Sequence, residues 1–303
     1  MPLYDDDPAF PGYLLLIDEP ENALHPMAAR AAQRHLYKLA TDPEWQVLMT
    51  THSPYFVNPL EDHTTIVRLE RNIDIQSSLS CKIYRADRVS FDQETKRNLQ
   101  ALQQMDTSFS EVFFGSYPIL VEGDTEHAAF LAAIVEANHH LAGQATVVRA
   151  RGKAILPGLV RTLRHFQIPF GIVHDLDWPF TEKGKHSAMW TINQAIYDEL
   201  CRCRSDGVVV RHRCSVPDFE RRLGGEELGK DKPLMAYMRV SSDEAIRKRV
   251  EDLMTELCNS DEHVFVNHDG SSDYLDLLKA ELQNWCQANG YGDDCRLNGI
   301  TSI

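Results

Sequence analysis

Pro118–Phe130 reads PILVEGDTEHAAF. The apolar run Ile119-Leu120-Val121 has the length of a short buried strand, and it stops at Glu122-Gly123. Thr125 is placed to cap a helix over Glu126–Ala137. Glu122 then stands at the carboxyl end of a strand with Glu126 one helical turn on, in the region where open α/β sheets bind ligands. A second apolar run, Phe170–Asp177, reads FGIVHDLD and ends in Asp175-Leu176-Asp177. Between the two runs, Gln144–Val148 reads as a strand, and Arg149–Lys153, RARGK, opens a helix over Ala154–Phe166. A helix over Ala188–Arg202 and a strand over Gly207–Arg211 follow. The order β-α-β-α-β-α-β predicts an α/β fold with a parallel, doubly wound sheet. The RARGK turn is a candidate phosphate site, since Arg151, Lys153 and the first N–H groups of a helix would face one anion; a plain solvated turn is the alternative.

The chain has 303 residues, enough for two domains with their own cores. Hydrophobic and charged fractions of 43% and 25% are ordinary for a globular protein. The sequence holds no run of eighteen apolar residues, and MPLYDDDPAF lacks the basic-then-apolar layout of a signal peptide, so a cytoplasmic protein without membrane contact is expected. The formal net charge of −14 argues against nonspecific coating of nucleic acid, and any such contact calls for a local basic patch. Seven cysteines, an odd number, do not suggest a disulfide framework. Cys201-x-Cys203 near His212 and Cys214 hints faintly at zinc, but the spacing is that of no zinc finger or ribbon, and free thiols are the simpler reading. His174, just before the D-x-D, reads as a satisfied core or sheet-face histidine rather than a ligand.

Near the start, Tyr13–Pro20 reads YLLLIDEP, four apolar residues and then Asp18-Glu19, the pattern of a Walker B strand. Glu21–Pro26 is ENALHP, a helix is expected over Met27–Ala40, and the strand Gln46–Thr50 leads into Thr51-His52-Ser53-Pro54. Taken together these segments resemble the second half of an ABC-type ATPase head. The resemblance implies that Asp18 holds Mg²⁺, that Glu19 polarises the attacking water, that Asn22–His25 forms a D-loop and that His52 senses the γ-phosphate. Yet no G-x-x-x-x-G-K-[ST] loop and no ABC signature segment occur in the sequence. The expectation is therefore a carboxy-terminal portion, truncated or split from a partner, that binds ATP only if an amino-terminal half is supplied. Ile66–Glu70 and Lys82–Arg85 read as the closing strands of that sheet, and Asp92–Met105 as a solvated linker helix. The expected division is a partial ATPase over 1–90, a linker over 91–115, the α/β domain over 116–240 and a helical region over 241–303.

A strand ending in E-G-x-x-E followed by one ending in D-x-D resembles a TOPRIM domain, a metal-dependent fold of topoisomerases, primases and a class of nucleases. Ser215–Leu223 reads SVPDFERRL, where the resemblance implies one further acid, Asp218 or Glu220. Gly229–Pro233 reads GKDKP, and a lysine here resembles the catalytic lysine of the overcoming lysogenization defect (OLD) family, which fuses an ABC-type ATPase to a TOPRIM nuclease in the order seen here. Lys232 is the first choice, with Lys230 the alternative. The resemblance implies a metal-dependent DNA endonuclease in phage defence or DNA repair. Glu122, Glu126, Asp175, Asp177 and Asp218 or Glu220 would hold Mg²⁺ or Mn²⁺, two ions by family resemblance, while Lys232 would stabilise developing charge. Glu122, Asp175 and Lys232 form the implied catalytic set. A homodimer through the ATPase region and an accessory defence protein belong to the same expectation. An RNase using the same site, and a non-catalytic nucleotide-gated assembly or DNA-binding module, are the competing readings.

Overall fold

A computed structural model describes residues 12–71, 79–106, 108–114, 117–137, 143, 145–224, 229–260, 265–266, 273–292 and 294–298. The chain divides into two compact units, Met1–Arg88 and Val89–Ile303.

In the first unit, β1 (Tyr13–Asp18) pairs in parallel with β2 (Trp45–Thr50), and α1 (Pro26–Leu39) connects them. Proline opens α1, where its missing N–H costs nothing, and the His25 imidazole caps it by accepting from the Met27 N–H. An antiparallel ribbon of β3 (Thr65–Arg71) and β4 (Leu79–Arg85) follows. Parallel strands are normally covered on both faces. Here Leu14 and Leu16 are 61% and 63% exposed, so among the described residues of this unit one face of the pair is uncovered.

The second unit begins with α2 (Gln93–Met105), capped by Asp92, whose carboxylate accepts from the Thr95 N–H. Leu99 and Leu102 are buried, and α2 packs on α5 (Leu156–His165). Gly158 permits the approach, since a Cβ there would lie 3.0 Å from Thr95 Cγ2. The solvated linker expected here is therefore corrected: α2 is part of the second unit, held by its apolar stripe. A short α3 (Ser108–Glu111) leads to the sheet.

That sheet is fully parallel, with strand order β6-β5-β7-β8, from β5 (Tyr117–Val121), β6 (Ala145–Arg149), β7 (Phe170–Asp175) and β8 (Val210–Ser215). Ile119, Leu120, Val121, Ile172 and Val173 are all fully buried, as a sheet covered on both faces requires. Ile119, Val121 and Val173 pack with α4 (Asp124–Ala137), α8 (Lys232–Ser242) and α9 (Glu244–Asn259). At Gly171 a Cβ would come 2.8 Å from the Leu257 carbonyl oxygen, so the absence of a side chain brings α9 down onto β7. Cys214 and Leu176 instead pack with α6 (Ala188–Ser205) and α10 (Tyr274–Asn289). The tail helices thus cover both faces of the same sheet rather than forming a region apart. The short α7 (Phe219–Arg222) and α11 (Cys295–Asn298) complete the unit. Three local expectations need correcting, the first being the strand expected over Gly207–Arg211, which runs instead as β8 over Val210–Ser215. Helix α4 starts at Asp124, so Thr125 sits inside the first turn and is not the cap. After β6, a single 3₁₀ turn over Lys153–Ile155 precedes α5.

Candidate metal centre

Glu122 directly follows β5, and Asp175 ends β7, the strand paired next to it. Glu126 occupies the third position of α4, and its Oε2 accepts from the Gly123 N–H at 3.2 Å. This is the backward-reaching half of a capping box, and it turns the carboxylate toward the strand end. Parallel pairing of β5 with β7 does the rest: one oxygen each of Glu122, Glu126 and Asp175 lies within 4.8 Å of the others. Two further main-chain donors hold the other acids. The Asp175 N–H donates to Glu122 Oε2 at 3.3 Å, and the Phe219 N–H donates to Asp175 Oδ1 at 2.7 Å.

Asp177 is not in this group. It has left the strand with φ of 65°, and its Oδ2 accepts from Lys153 Nζ at 2.6 Å. Lys153 is only 1% exposed, and its ammonium also donates to the Asp175 carbonyl oxygen at 2.6 Å. The RARGK turn brings it there: the Gly152 N–H donates to the Glu122 carbonyl oxygen at 3.0 Å, with Arg151 and Gly152 at φ of 57° and 133°. The expectation of Lys153 as a solvent-facing phosphate ligand is thus corrected; it is an internal cation that pins the backbone of Asp175. Arg151 stays nearer the surface, 3.9 Å from Asp124.

The remaining residues surround this core. Asp218 caps α7, accepting from the Arg221 N–H at 2.9 Å and from the Arg221 guanidinium. In doing so it sets the turn from which Phe219 donates to Asp175. Glu220 Oε1 pairs with Lys232 Nζ at 2.6 Å, and Lys232 begins α8. Lys230 lies exposed just before it. In the first unit, Asp18 accepts from the Thr50 hydroxyl, and His52 Nε2 lies 3.3 Å from Glu19 Oε1. Asn22–His25 forms the turn leading into α1, with Ala23 at φ of 62°.

Charge is unbalanced among the three acids. Burial, then Glu126, Glu122, Asp177 and Asp218, holds the Asp175 carboxyl well above the usual carboxylate range. Burial, with Glu122 beside it, pushes Glu126 up to about 7. Burial also raises Glu122, assisted by Asp177 and opposed by Lys153. The oxygen-only donor set and its unmet negative charge fit a hard divalent cation. A carboxylate whose folded pKa is raised binds extra protons in the folded state, so its contribution to stability is lost as pH rises from the unfolded value of 4.5 toward about 7 for Glu126. The metal-free chain should therefore melt lower at about pH 8 than at about pH 5.5 as far as this cluster is concerned. Mg²⁺ at about 100 times its Kd should restore about 2.7 kcal/mol, a Tm rise of about 5–10 °C. Scanning calorimetry in chelator and in Mg²⁺ checks both signs.

Sequence comparisons agree with this arrangement. Residues 10–57 match an AAA ATPase domain, and residues 113–177 match the TOPRIM domain of proteins like the overcoming lysogenization defect protein. An OLD nuclease of Thermus scotoductus is 29% identical over 226 residues, which cover 72% of this chain and 42% of that protein. The matched stretch covers less than half the length of that relative. An AAA-type ATPase region is thus followed by an OLD-like TOPRIM domain, as the E-G-x-x-E and D-x-D resemblance implies. Among the described residues, no helix is long and apolar enough to cross a membrane.

Proposed function

We propose that this chain carries a metal-dependent nuclease centre on Glu122, Glu126 and Asp175, acting on DNA. The observation that carries the proposal is the convergence of these three carboxylates from β5, α4 and β7, each raised by burial and by neighbouring carboxylates. The similarity to an OLD nuclease supports the reaction class. Glu122, Glu126 and Asp175 would hold Mg²⁺ or Mn²⁺, and bound metal would lower the pKa of the attacking water and neutralise the leaving oxygen. The Lys153 ammonium, clamped between Asp177 and the Asp175 carbonyl, holds that ligand in place. Asp218 does the same through the Phe219 N–H. Lys232, at the start of α8, would leave Glu220 to meet charge developing on the phosphate. Arg149 bridges Asp106 and Asp124, and Arg151 lies 3.9 Å from Asp124, so near the start of α4 two guanidiniums are offset by two carboxylates and would have to leave them to meet phosphate.

For the domain limits we keep the ATPase region within 1–90, a connecting segment over 91–115, the TOPRIM domain within 116–240 and a helical region over 241–303. Dimerisation through the ATPase region, ATP binding with a complementary half, a defence or repair role and a cytoplasmic location complete the reading. The test is incubation of supercoiled plasmid and of transfer RNA with the chain in Mg²⁺, Mn²⁺ or Ca²⁺. Nicked or linear DNA beside intact RNA is expected. RNA loss beside intact plasmid would move the substrate to RNA, and two intact substrates would overturn the proposal.

The chain by itself should not turn over ATP, because the loop that cradles the phosphates is missing from its sequence. Steady-state phosphate release should stay at background and be unaffected by Glu19→Gln. Release above background that this change abolishes would contradict the reading.

A further inference from the structure

A second cluster of ligand atoms lies under the same strand ends, and the acid centre does not use it. His174 on β7 and Cys214 on β8 are register partners, and His212 is two residues before Cys214 on the same strand. Strand alternation sends all three side chains to one face, opposite to that of Val173. All three are buried. His174 Nε2 lies 2.9 Å from His212 Nε2, and Cys214 Sγ lies 3.3 Å from His212 Nε2 and 3.6 Å from His174 Nε2.

We propose that His174 Nε2, His212 Nε2 and Cys214 Sγ form a buried binding site for one divalent transition-metal ion of the zinc class. The spacing is the first argument. Tetrahedral zinc with Zn–N of about 2.0–2.1 Å and Zn–S of about 2.3 Å separates two nitrogens by about 3.3 Å and a nitrogen from a sulfur by about 3.6 Å. The three atoms are already within a few tenths of an ångström of those edges, so occupation needs only a small spreading of two rings. The orientation of His174 is the second. Its Nδ1 lies 2.8 Å from the Asp175 carbonyl oxygen, which can only accept, so Nδ1 carries the proton and Nε2 offers its lone pair. A ligating imidazole that donates its other N–H to a backbone carbonyl is the usual outer-shell arrangement of metal-bound histidine. The donor set is the third: two imidazoles and a thiol suit zinc or cobalt, whereas the carboxylates of the acid centre suit magnesium and manganese. Zinc spacing sought along the sequence around Cys201-x-Cys203 is replaced by ligands gathered across two strands. Binding would release the Cys214 thiol proton to solvent and tie β7 to β8 one residue before Asp175.

The test is titration of the full, reduced chain with Co²⁺ in excess Mg²⁺. One equivalent should give a thiolate-to-cobalt charge-transfer band, which Zn²⁺ then removes. Cys214→Ser should abolish the band, His212→Gln should weaken Co²⁺ binding at least about 10-fold, and Cys203→Ser and Glu122→Ala should leave it. Buried substitutions can unfold a chain, so wild-type protein gives an independent readout: Zn²⁺ added in saturating Mg²⁺ should raise its Tm. Absence of a thiolate band in the wild type, or a band that survives Cys214→Ser, would show a triad held by hydrogen bonds alone and overturn the proposal. Because the band reports a thiolate, its failure leaves the acid centre untouched, and failed DNA cleavage leaves the band.

Discussion

Asp175→Asn should abolish DNA cleavage and, at the same time, raise the thermal stability of the metal-free chain. The two effects have one cause. Asp175 is a buried carboxylate facing Glu122, Glu126, Asp177 and Asp218, so as an anion it is repelled from four sides. An amide keeps the Oδ1 that accepts from the Phe219 N–H, leaving the local hydrogen bonding intact, while the charge that opposes folding is gone. The same charge is what a divalent cation needs. Loss of at least about 10²–10³-fold in cleavage rate is expected, the scale on which a single strong electrostatic element acts. Plasmid nicking in Mn²⁺ and a melt in chelator read the two halves separately. A variant that cuts at the wild-type rate, or that melts lower than the wild type in chelator, would contradict this account of the site.

Lys153→Met should give the largest loss of stability. The Lys153 side chain is fully buried, and its ammonium bridges the Asp177 carboxylate and the Asp175 carbonyl oxygen. Methionine fills much of the same volume but leaves the Asp177 carboxylate without its cation, leaves the Asp175 carbonyl oxygen with the His174 Nδ1 contact alone, and removes the cation that lowers the Glu122 carboxyl. Breaking a buried ion pair from one side costs about 3–5 kcal/mol, corresponding to a Tm lower by about 6–20 °C for a unit of this size. Asp177→Asn should cost less, because Asp177 is partly exposed and its amide still accepts from the ammonium. Urea unfolding of both variants checks the order. A Lys153→Met variant within about 1 kcal/mol of the wild type would show that the pair is dispensable.

The parallel sheet and the pairing of Glu122 with Asp175 were legible because both rest on local signals: an apolar run, a carboxylate at its end and a glycine beside it. Asp177 stands outside the three-acid group for a local reason. The D-x-D spacing puts both acids on one face only if the strand continues, but β7 ends at Asp175 and the backbone turns to a positive φ at Asp177. The internal position of Lys153 was not legible, because a basic, glycine-containing turn looks the same in sequence whether its lysine faces water or the interior. Its direction is set by the bond from Gly152 to Glu122, a contact between segments thirty residues apart. The roles of Asp218 and Glu220 likewise depend on Arg221 and Lys232, partners that spacing alone does not rank. The linker helix over 93–105 was read as solvated because it is polar overall; Leu99 and Leu102 outweigh that average by lying on one stripe.

The most direct measurement of the central claim is calorimetric titration of Mn²⁺ into the chain and three variants. Binding should be present in the wild type, lost in Glu122→Ala and in Asp175→Asn, and kept in Asp177→Asn, whose side chain belongs to Lys153. Wild-type Mn²⁺ affinity retained in Asp175→Asn would contradict the assignment of this cluster as the metal centre.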